Sequence, residues 1–209
     1  MNPPDLTWVE PLEQLIPPEL ASLSEHPVVM QALIRRGITN LNQAQAFINP
    51  GLYPLASPLD LPDMDAAVAR LQQAVENREK IAIWGDFDVD GQTATALLAQ
   101  TLNLLGAKYM WHIPIRAHES HGVNLTGLER LIQSGAQLLL TCDTGITAHA
   151  EVDFARHHHL DVVITDHHTL PPTLPDAAAV VNPQRLPDHH PLHPLCGVGT
   201  AYQLARELL

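Results

Sequence analysis

Residues 80–106, KIAIWGDFDVDGQTATALLAQTLNLLG, contain the pattern from which the architecture of the chain follows. The apolar run at 80–85 predicts a buried strand, and 92–106 predicts a helix that ends at a glycine. Between them, GDFDVDG (85–91) carries three alternating aspartates. A strand that passes through a short turn into a helix is the first half of a βαβ unit.

The same alternation continues to the end of the chain. The apolar patterns predict further strands and helices at 108–113, 125–135, 137–142, 147–158, 160–165, 177–182 and 200–208. Short connections between alternating strands and helices imply right-handed crossovers. We therefore expect an α/β fold, with a largely parallel β-sheet flanked by helices.

The N-terminal residues differ from the rest of the chain in composition and pattern. Residues 1–62 contain two short helical patterns, at 26–38 and 40–50, and then PGLYPLASPLDLP (50–62), whose four prolines predict an extended linker. An amphipathic helix follows from Asp63, which we expect to be its N-cap. The predicted domains are thus a helical extension with a proline-rich linker at 1–62 and an α/β domain at 63–209.

The composition limits the function classes. The chain has 209 residues and a formal net charge of −12, so it is not an obvious nucleic-acid binder unless bound cations offset its carboxylates. Cys142 and Cys196 form no zinc-type spacing, which favours free thiols in a reducing cytoplasm. The start, MNPPDLTWVEP, lacks a secretion pattern, and no segment has 18 consecutive apolar residues. We expect a cytoplasmic protein without membrane association.

Acidic and histidine residues follow three of the predicted strands. They are Asp86, Asp88 and Asp90 in GDFDVDG, Asp143 in LLLTCDTGI (138–146), and Asp166, His167 and His168 in VVITDHHT (162–169). In extended backbone the first three carboxylates would project to one side. Because ligands bind beyond the carboxyl ends of parallel strands, the fold should bring all three groups together.

Divalent metal binding is the chemistry that these residues favour. Clustered carboxylates suit Mg²⁺ or Mn²⁺, and neighbouring imidazoles favour Mn²⁺, Fe²⁺ or Zn²⁺ over a pure Mg²⁺ site. Two ions bridged by a carboxylate are a standard arrangement for phosphate-ester hydrolysis. The pattern lacks the glutamate of an EF-hand loop, but a solvated acidic turn, or histidines that only form hydrogen bonds, stay open as alternatives.

The motifs resemble those of the RecJ exonucleases, members of the DHH phosphoesterase superfamily. GDFDVDGQTAT (85–95) is similar to their first motif, with Phe87 in place of the usual Tyr; TCDTGI (141–146) resembles the second; and TDHH (165–168) is the signature of the superfamily. The segment IPIRAHESHGVN (113–124) is similar to a stretch that reads roughly IP-x-R-x-x-EGYGLN in that family. The resemblance extends over nearly the whole chain.

The resemblance implies a role for each matched residue. Asp86, Asp88, Asp90, Asp143 and His167 would bind two divalent ions, Mn²⁺ or Mg²⁺, with Asp143 as the bridge. Asp166 and His168 would order His167, contact the second ion or meet the scissile phosphate. Arg116 is the candidate phosphate clamp, with an ordinary surface cation as the alternative. Glu119, His121 and Asn124 would shape the same substrate-binding loop.

The implied activity is 5′–3′ exonucleolytic hydrolysis of single-stranded DNA by a metal-activated water, in DNA repair and recombination. A helicase and a single-strand-binding protein are the implied partners. Members of the family carry a further metal-binding Asp, a DHHA1 domain and an OB-type domain beyond the matched region, so we expect this chain to be an N-terminal fragment. Two alternatives stay open: a DHH phosphodiesterase acting on oligoribonucleotides or cyclic dinucleotides, and a catalytically inactive DHH scaffold.

Overall fold

Five strands form one parallel sheet in a computed structural model that describes residues 8–23, 26–53, 56–119 and 121–209. The strands are β1 (Lys80–Trp84), β2 (Lys108–His112), β3 (Leu138–Cys142), β4 (Asp161–Thr165) and β5 (Ala179–Val181). Their order across the sheet is β2-β1-β3-β4-β5, with every neighbouring pair parallel. The predicted fold class is confirmed.

Seven α-helices lie in the described residues. They are α1 (Pro27–Arg35), α2 (Leu41–Ile48), α3 (Met64–Glu76), α4 (Val89–Leu104), α5 (Leu125–Gln133), α6 (His149–His157) and α7 (Gly197–Leu208). The described part of the chain contains no helix long and apolar enough to cross a membrane.

The sheet is covered on both faces because successive side chains of each strand point to opposite sides. In β1, Ile81 and Ile83 join the core formed with α3, α4 and α7. Ala82 and Trp84 join a second core with α5 and α6. The central strand β3 is buried along its whole length. Burial on both faces explains why near-continuous apolar runs in the sequence predicted these strands correctly.

The sheet order places a topological switch point between β1 and β3. From β1 the chain crosses through α4 to β2 on one side, and then returns through α5 to β3 on the other side of β1. A crevice at such a reversal, outside the carboxyl ends of the strands, is the usual ligand-binding position in open α/β sheets.

The chain divides into two compact units, Met1–Leu55 and Ala56–Leu209. In the first, Leu20 and residues of α1 and α2 form a small apolar core. The predicted boundary between residues 62 and 63 stays a prediction. The predicted absence of a secretion signal concerns mainly residues 1–7, which lie outside the described residues.

Several local expectations were wrong. Residues 50–62 are not simply extended, because Pro50–Leu52 and Pro58–Asp60 form 3-10 turns with proline in the first position, where its fixed φ is tolerated; residues 54–55 lie outside the described part. The helices α4 and α7 begin three residues earlier than the apolar pattern suggested, at Val89 and Gly197.

Asp63 lies at the N-cap position of α3 but does not cap it. Its backbone is left-handed, with φ 61°, and its side chain accepts no hydrogen bond from the helix. Instead, its carboxylate accepts hydrogen bonds from the backbone N–H of Val180 at 3.2 Å and from Arg185 at 2.7 Å. A long-range ion pair has replaced the local cap, which a sequence pattern does not reveal.

Candidate metal centre

The turn after β1 places Asp86 and Asp88 at the carboxyl end of the sheet. Asp86 is buried, and its Oδ1 accepts a hydrogen bond from the N–H of Phe87 at 2.8 Å. Asp88 is the N-cap of α4, with Oδ1 accepting from the N–H of Gly91 at 2.9 Å. A Cβ at Gly91 would lie 2.5 Å from the backbone nitrogen of Asp86, so only glycine allows this tight turn.

The expectation that three carboxylates project together from extended backbone was wrong. The helix α4 begins at Val89, so Asp90 lies in its first turn rather than in a continuation of the strand. Its carboxylate accepts hydrogen bonds from the N–H groups of Gly197 and Val198, each at 2.7 Å. Asp90 therefore contacts the start of α7, and its Oδ2 also lies 3.6 Å from Nε2 of His167.

Asp143 follows β3 in a strained conformation. Its φ of 61° is left-handed, which is uncommon for a residue with a side chain. The side chain is buried, and its Oδ1 accepts no hydrogen bond although Nε2 of His167 lies 3.0 Å away. The next turn needs Gly145, whose φ is 110°. A buried carboxylate oxygen without a hydrogen bond is costly unless another group, such as a cation, contacts it.

Asp166 follows the end of β4, and both of its carboxylate oxygens accept hydrogen bonds. Its Oδ1 accepts from the N–H of His167 at 2.7 Å, and from the N–H and Nδ1 of His168 at 3.1 and 2.7 Å. Its Oδ2 accepts from the N–H of Ile146 at 2.9 Å. Through these hydrogen bonds, Asp166 fixes the backbone of His167 and both the backbone and the imidazole of His168.

Two overlapping groups of side chains among the described residues have the arrangement of metal ligands. The first is Asp86, Asp88 and Asp143, and the second is Asp143, His167 and His168. Within each group the ligand atoms lie within 4.8 Å of one another. Carboxylate and imidazole donors fit Mn²⁺, and Asp143, whose buried Oδ1 accepts no hydrogen bond, belongs to both groups. The residues present therefore fit a pair of divalent ions that share Asp143.

The electrostatics of the cluster favour a cation. Burial, followed by the negative charges of Asp90 and Asp88, raises the pKa of Asp143 to about 7. The hydrogen bond to Asp166, which outweighs the effect of burial, raises the pKa of His168 to about 9. Burial alone would raise the pKa of Asp166, but hydrogen bonds from the His168 side chain and from the N–H groups of Ile146 and His168 lower it.

A cleft of about 400 Å³ opens over this cluster. Asp86, Asp143, Asp166 and His168 line it, together with His121, Gly122 and the run Thr144–Thr147. Asp86, Asp143 and His168 thus face an open space in which a phosphate ester could approach them. Cys142, next to Asp143, does not line the cleft, because its side chain is buried. Burial also raises the pKa of its thiol to about 12, so the thiol is a poor nucleophile.

Arg116 and His121, which the sequence predicts to bind substrate, both pack on the ring of Phe87. The guanidinium carbon of Arg116 lies 5.1 Å from the centre of the Phe87 ring, and the His121 ring centre lies 4.4 Å from it. Nδ1 of His121 is also 3.9 Å from Oδ2 of Asp86. Sequence reasoning assigned no role to Phe87, yet its ring joins the loop to the acidic turn.

Glu119 and Asn124 have structural partners away from the cleft lining. Glu119 accepts a hydrogen bond from the N–H of Ile115 at 2.9 Å, and its carboxylate lies 3.3 Å from His112. Asn124 is the N-cap of α5, where its side chain accepts from the N–H of Gly127 at 2.8 Å. Both hold the ends of the loop, whose residue 120 lies outside the described residues.

Gly197 is a further residue of the site that sequence reasoning missed. A Cβ built on it would lie 2.5 Å from Oδ1 of Asp143, so only glycine fits against the carboxylate. The available signal was the pair of glycines in CGVG (196–199) at the start of α7, which could have marked a close approach of the backbone to the site.

Comparison with known proteins agrees with this geometry. Residues 80–208 match a family model described as the DHH family, N-terminal domain. The single-stranded-DNA-specific exonuclease RecJ of Bacillus subtilis is 38% identical over 183 residues, which are 88% of this chain and 23% of that protein. A solved structure of RecJ from Thermus thermophilus in complex with Mn²⁺ is 32% identical, with a TM-score of 0.69 over 90% of this chain and 26% of that one. A manganese-bound structure of exonuclease RecJ is 36% identical, with a TM-score of 0.68 over 74% of this chain and 39% of that one.

Proposed function

The chain belongs to the DHH family, and we propose that it is the metal-binding core of a hydrolase that degrades single-stranded DNA from its 5′ end. The observation that carries this proposal is the buried carboxylate of Asp143, shared by two groups of candidate ligands. The chain spans 23% of the length of the Bacillus subtilis relative, so the activity of a whole protein is part of the proposal.

The residues proposed to hold two divalent ions, Mn²⁺ or Mg²⁺, are Asp86, Asp88, Asp90, Asp143 and His167. His168, grouped with Asp143 and His167, is proposed to contact the second ion or the phosphate. Solved relatives bound to manganese and to magnesium support this choice. When bound, such ions lower the pKa of water and offset the charge of a phosphoryl group. Their charge also answers the objection that a chain with a net charge of −12 is a poor partner for DNA.

The protein's own part is to orient these ligands and to receive the phosphate. Asp166 fixes the His168 imidazole through the 2.7 Å contact between Oδ1 and Nδ1, so Nε2 of His168 is left for an ion or a phosphate oxygen. Arg116 is the proposed phosphate clamp, because a guanidinium binds phosphate with two parallel hydrogen bonds. The ring of Phe87 supports its position beside the acidic turn.

His121 is proposed to contact the substrate at the mouth of the cleft, which it lines. Glu119 and Asn124 are proposed to act through the loop, which their backbone hydrogen bonds hold in place. Single-stranded DNA is the proposed substrate. A helicase and a single-strand-binding protein are proposed as partners on the family resemblance alone, and a cytoplasmic location is proposed from the two free thiols.

A nuclease assay with three substrates tests the proposal. The full-length gene product is incubated with Mn²⁺ and, in separate reactions, 5′-labelled single-stranded DNA, a short oligoribonucleotide and a cyclic dinucleotide. We expect release of nucleotides from the DNA, and loss of that activity in Asp88→Ala. The matched control is Asp65→Ala, which removes an exposed first-turn aspartate from a different helix.

Each outcome has a distinct meaning. Cleavage of the oligoribonucleotide or the cyclic dinucleotide without cleavage of DNA would overturn the substrate and leave the metal core in place. A full-length protein that is inert on all three substrates and binds no Mn²⁺ would favour the inactive scaffold. An Asp88→Ala variant as active as the wild type would remove the acidic turn from the reaction.

A further inference from the structure

The turn that carries Arg116 is closed by hydrogen bonds between Ile115 and Glu119. The carbonyl oxygen of Ile115 accepts from the N–H groups of His118 at 2.9 Å and of Glu119 at 2.8 Å. In return, the N–H of Ile115 donates to Oε2 of Glu119 at 2.9 Å. Arg116 follows Ile115 directly, so the position of the Glu119 carboxylate determines where the turn presents the guanidinium.

His112, the last residue of β2, faces this carboxylate from the sheet. Its Nε2 is buried, makes no hydrogen bond within the described part of the chain, and lies 3.3 Å from Oε2 of Glu119. A buried nitrogen without a partner is costly, and a carboxylate oxygen is a strong acceptor for an imidazole N–H. The imidazole also packs on the ring of Trp84, with ring centres 4.5 Å apart. The side chain is thus held with Nε2 towards Glu119.

The backbone of His112 contacts the acidic turn that follows β1. Its carbonyl oxygen accepts a hydrogen bond from the N–H of Gly85 at 3.0 Å, and Gly85 directly precedes Asp86. Trp84 and His112 are also in register in the paired strands β1 and β2. One residue therefore contacts the start of the acidic turn through its backbone and the turn of Arg116 through its side chain.

Arg130 approaches Glu119 from another side but contributes less. Its Nη1 lies 3.7 Å from Oε1 of Glu119, and its side chain is 67% exposed. An ion pair of this kind is weakened by water and salt. The side chains of His112 and Glu119 are only 23% and 18% exposed, so their contact is better shielded. The carboxylate is therefore held mainly from the side of His112.

We propose that His112 is a positioning residue that sets Arg116 beside the acidic turn by holding Glu119. The ring of Phe87 supports the guanidinium at 5.1 Å, and the contact between His112 and Glu119 holds the turn from which Arg116 extends. These two contacts together set the distance between Arg116 and Asp86. The inference rests on the proposed function, which assigns phosphate binding to Arg116.

Two substitutions separate the nitrogen of His112 from its ring. His112→Phe keeps an aromatic ring against Trp84 and removes the N–H, whereas His112→Gln removes the ring and keeps a side-chain N–H donor. If His112 acts by packing alone, the phenylalanine should be tolerated and the glutamine should not. The matched control is His190→Phe, outside the cleft lining, because Nε2 of His190 lies 3.5 Å from Asp60 and the His190 side chain is 22% exposed.

Steady-state kinetics of the full-length gene product on single-stranded DNA measure the effect on Arg116. We expect His112→Phe to raise KM about 3- to 10-fold and to leave kcat and Mn²⁺ affinity within about twofold, because the metal ligands keep their places. His112→Gln and His190→Phe should stay within about twofold of the wild type. In an Arg116→Ala background, His112→Phe should raise KM no further, since both residues act through one contact with the phosphate.

Amide hydrogen exchange in EDTA tests the same contact without DNA or metal. The N–H groups of Ile115 and Glu119 should exchange about fivefold faster or more in His112→Phe than in the wild type, because the turn opens more often. In His112→Gln they should exchange as in the wild type. If His112→Phe fails to fold, Glu119→Gln takes its place, since it keeps an acceptor for Ile115 and removes the charge that faces His112.

Three kinetic results would overturn the proposal: an unchanged KM in His112→Phe, a rise in His112→Gln as large as in His112→Phe, or the full rise again in the Arg116→Ala background. Equal exchange of the Ile115 amide in the wild type and in His112→Phe would overturn it too. A full-length protein that is inert on DNA would count against the proposed function, and the exchange measurement would then decide whether His112 holds the turn.

Discussion

Oδ1 of Asp143 and Nε2 of His167 lie 3.0 Å apart, one at the end of β3 and the other beyond the end of neighbouring β4. Strand pairing sets this distance, because Cys142 is in register with Thr165 and each chain then continues into the site. Asp143 and His167 are 24 positions apart in sequence. The parallel sheet brings the oxygen of one and the nitrogen of the other close enough for one cation to contact both.

The stability of the metal-free protein should fall as the pH rises. The pKa of Asp143 is raised from 3.8 to about 7. The native state therefore binds a proton that the unfolded chain has lost, and this contribution disappears as the pH rises through about 7. It corresponds to at most about 4 kcal/mol of the free energy of unfolding. His168, with a pKa raised to about 9, acts in the same direction at higher pH.

Thermal unfolding in EDTA between about pH 5 and about pH 9 measures this dependence. In Asp143→Asn the decline below about pH 7 should disappear, while the part due to His168 should remain. The pKa of Asp166 is lowered, so its contribution is lost only in acid and does not affect this range. A wild-type curve that rises over the range, or an identical curve for Asp143→Asn, would contradict the charge distribution described for the site.

Replacement of Phe87 by leucine should weaken substrate binding more than metal binding. The ring that contacts Arg116 and His121 is lost, while the Asp86 carboxylate keeps its hydrogen bond to the backbone N–H of residue 87. A cation–π contact of about 0.5–1 kcal/mol corresponds to about a 2- to 5-fold rise in KM for DNA. Steady-state kinetics and Mn²⁺ titration measure the two effects.

The control for that experiment is Phe154→Leu. Phe154 also packs on a histidine, His158, with ring centres 4.2 Å apart, but on α6 and away from the cleft lining. A KM that rises equally in both variants would assign the effect to general destabilisation, and an unchanged KM in Phe87→Leu would exclude the ring as a support for Arg116.

The two cysteines should differ strongly in reactivity. Cys196 is exposed, whereas Cys142 is buried and the pKa of its thiol is raised to about 12 by burial. Only the thiolate reacts with iodoacetamide, so native protein should be labelled at Cys196 alone, and denatured protein at both positions. Peptide mass spectrometry reads the labelled sites. Labelling of native Cys142 at a rate near that of Cys196 would show that the end of β3 opens.

The sequence was sufficient for the sheet and for the strand ends because these depend on local patterns. The buried strands β1, β3 and β4 appear as apolar runs, and the polar residues that follow them mark the edge of the sheet. Parallel alignment then brings those residues together. The same patterns did not predict the strand order. The chain returns from β2 to the far side of β1 to form β3, and the packing of the folded domain determines this, not the local sequence.

The errors at Asp63 and Asp90 share one cause. Both carboxylates were placed from their neighbours in sequence, Asp63 as a local cap and Asp90 as one of three that project to the same side of extended backbone. Both instead accept hydrogen bonds from backbone groups more than 100 residues away, at Val180 and at Gly197. Partners this distant leave no periodic trace in the chain, so only the folded structure identifies them.

Binding of Mn²⁺ to this chain, compared with Asp143→Asn, tests whether the shared carboxylate forms a metal centre. Titration followed by electron paramagnetic resonance is run beside Asp153→Asn, which changes an exposed aspartate of α6. We expect tight binding by the wild type and the control, and a loss of affinity of about 100-fold or more in Asp143→Asn, since the residue shared by both ligand groups loses its negative charge. Equal Mn²⁺ affinity in Asp143→Asn and the wild type would contradict the assignment of the metal centre.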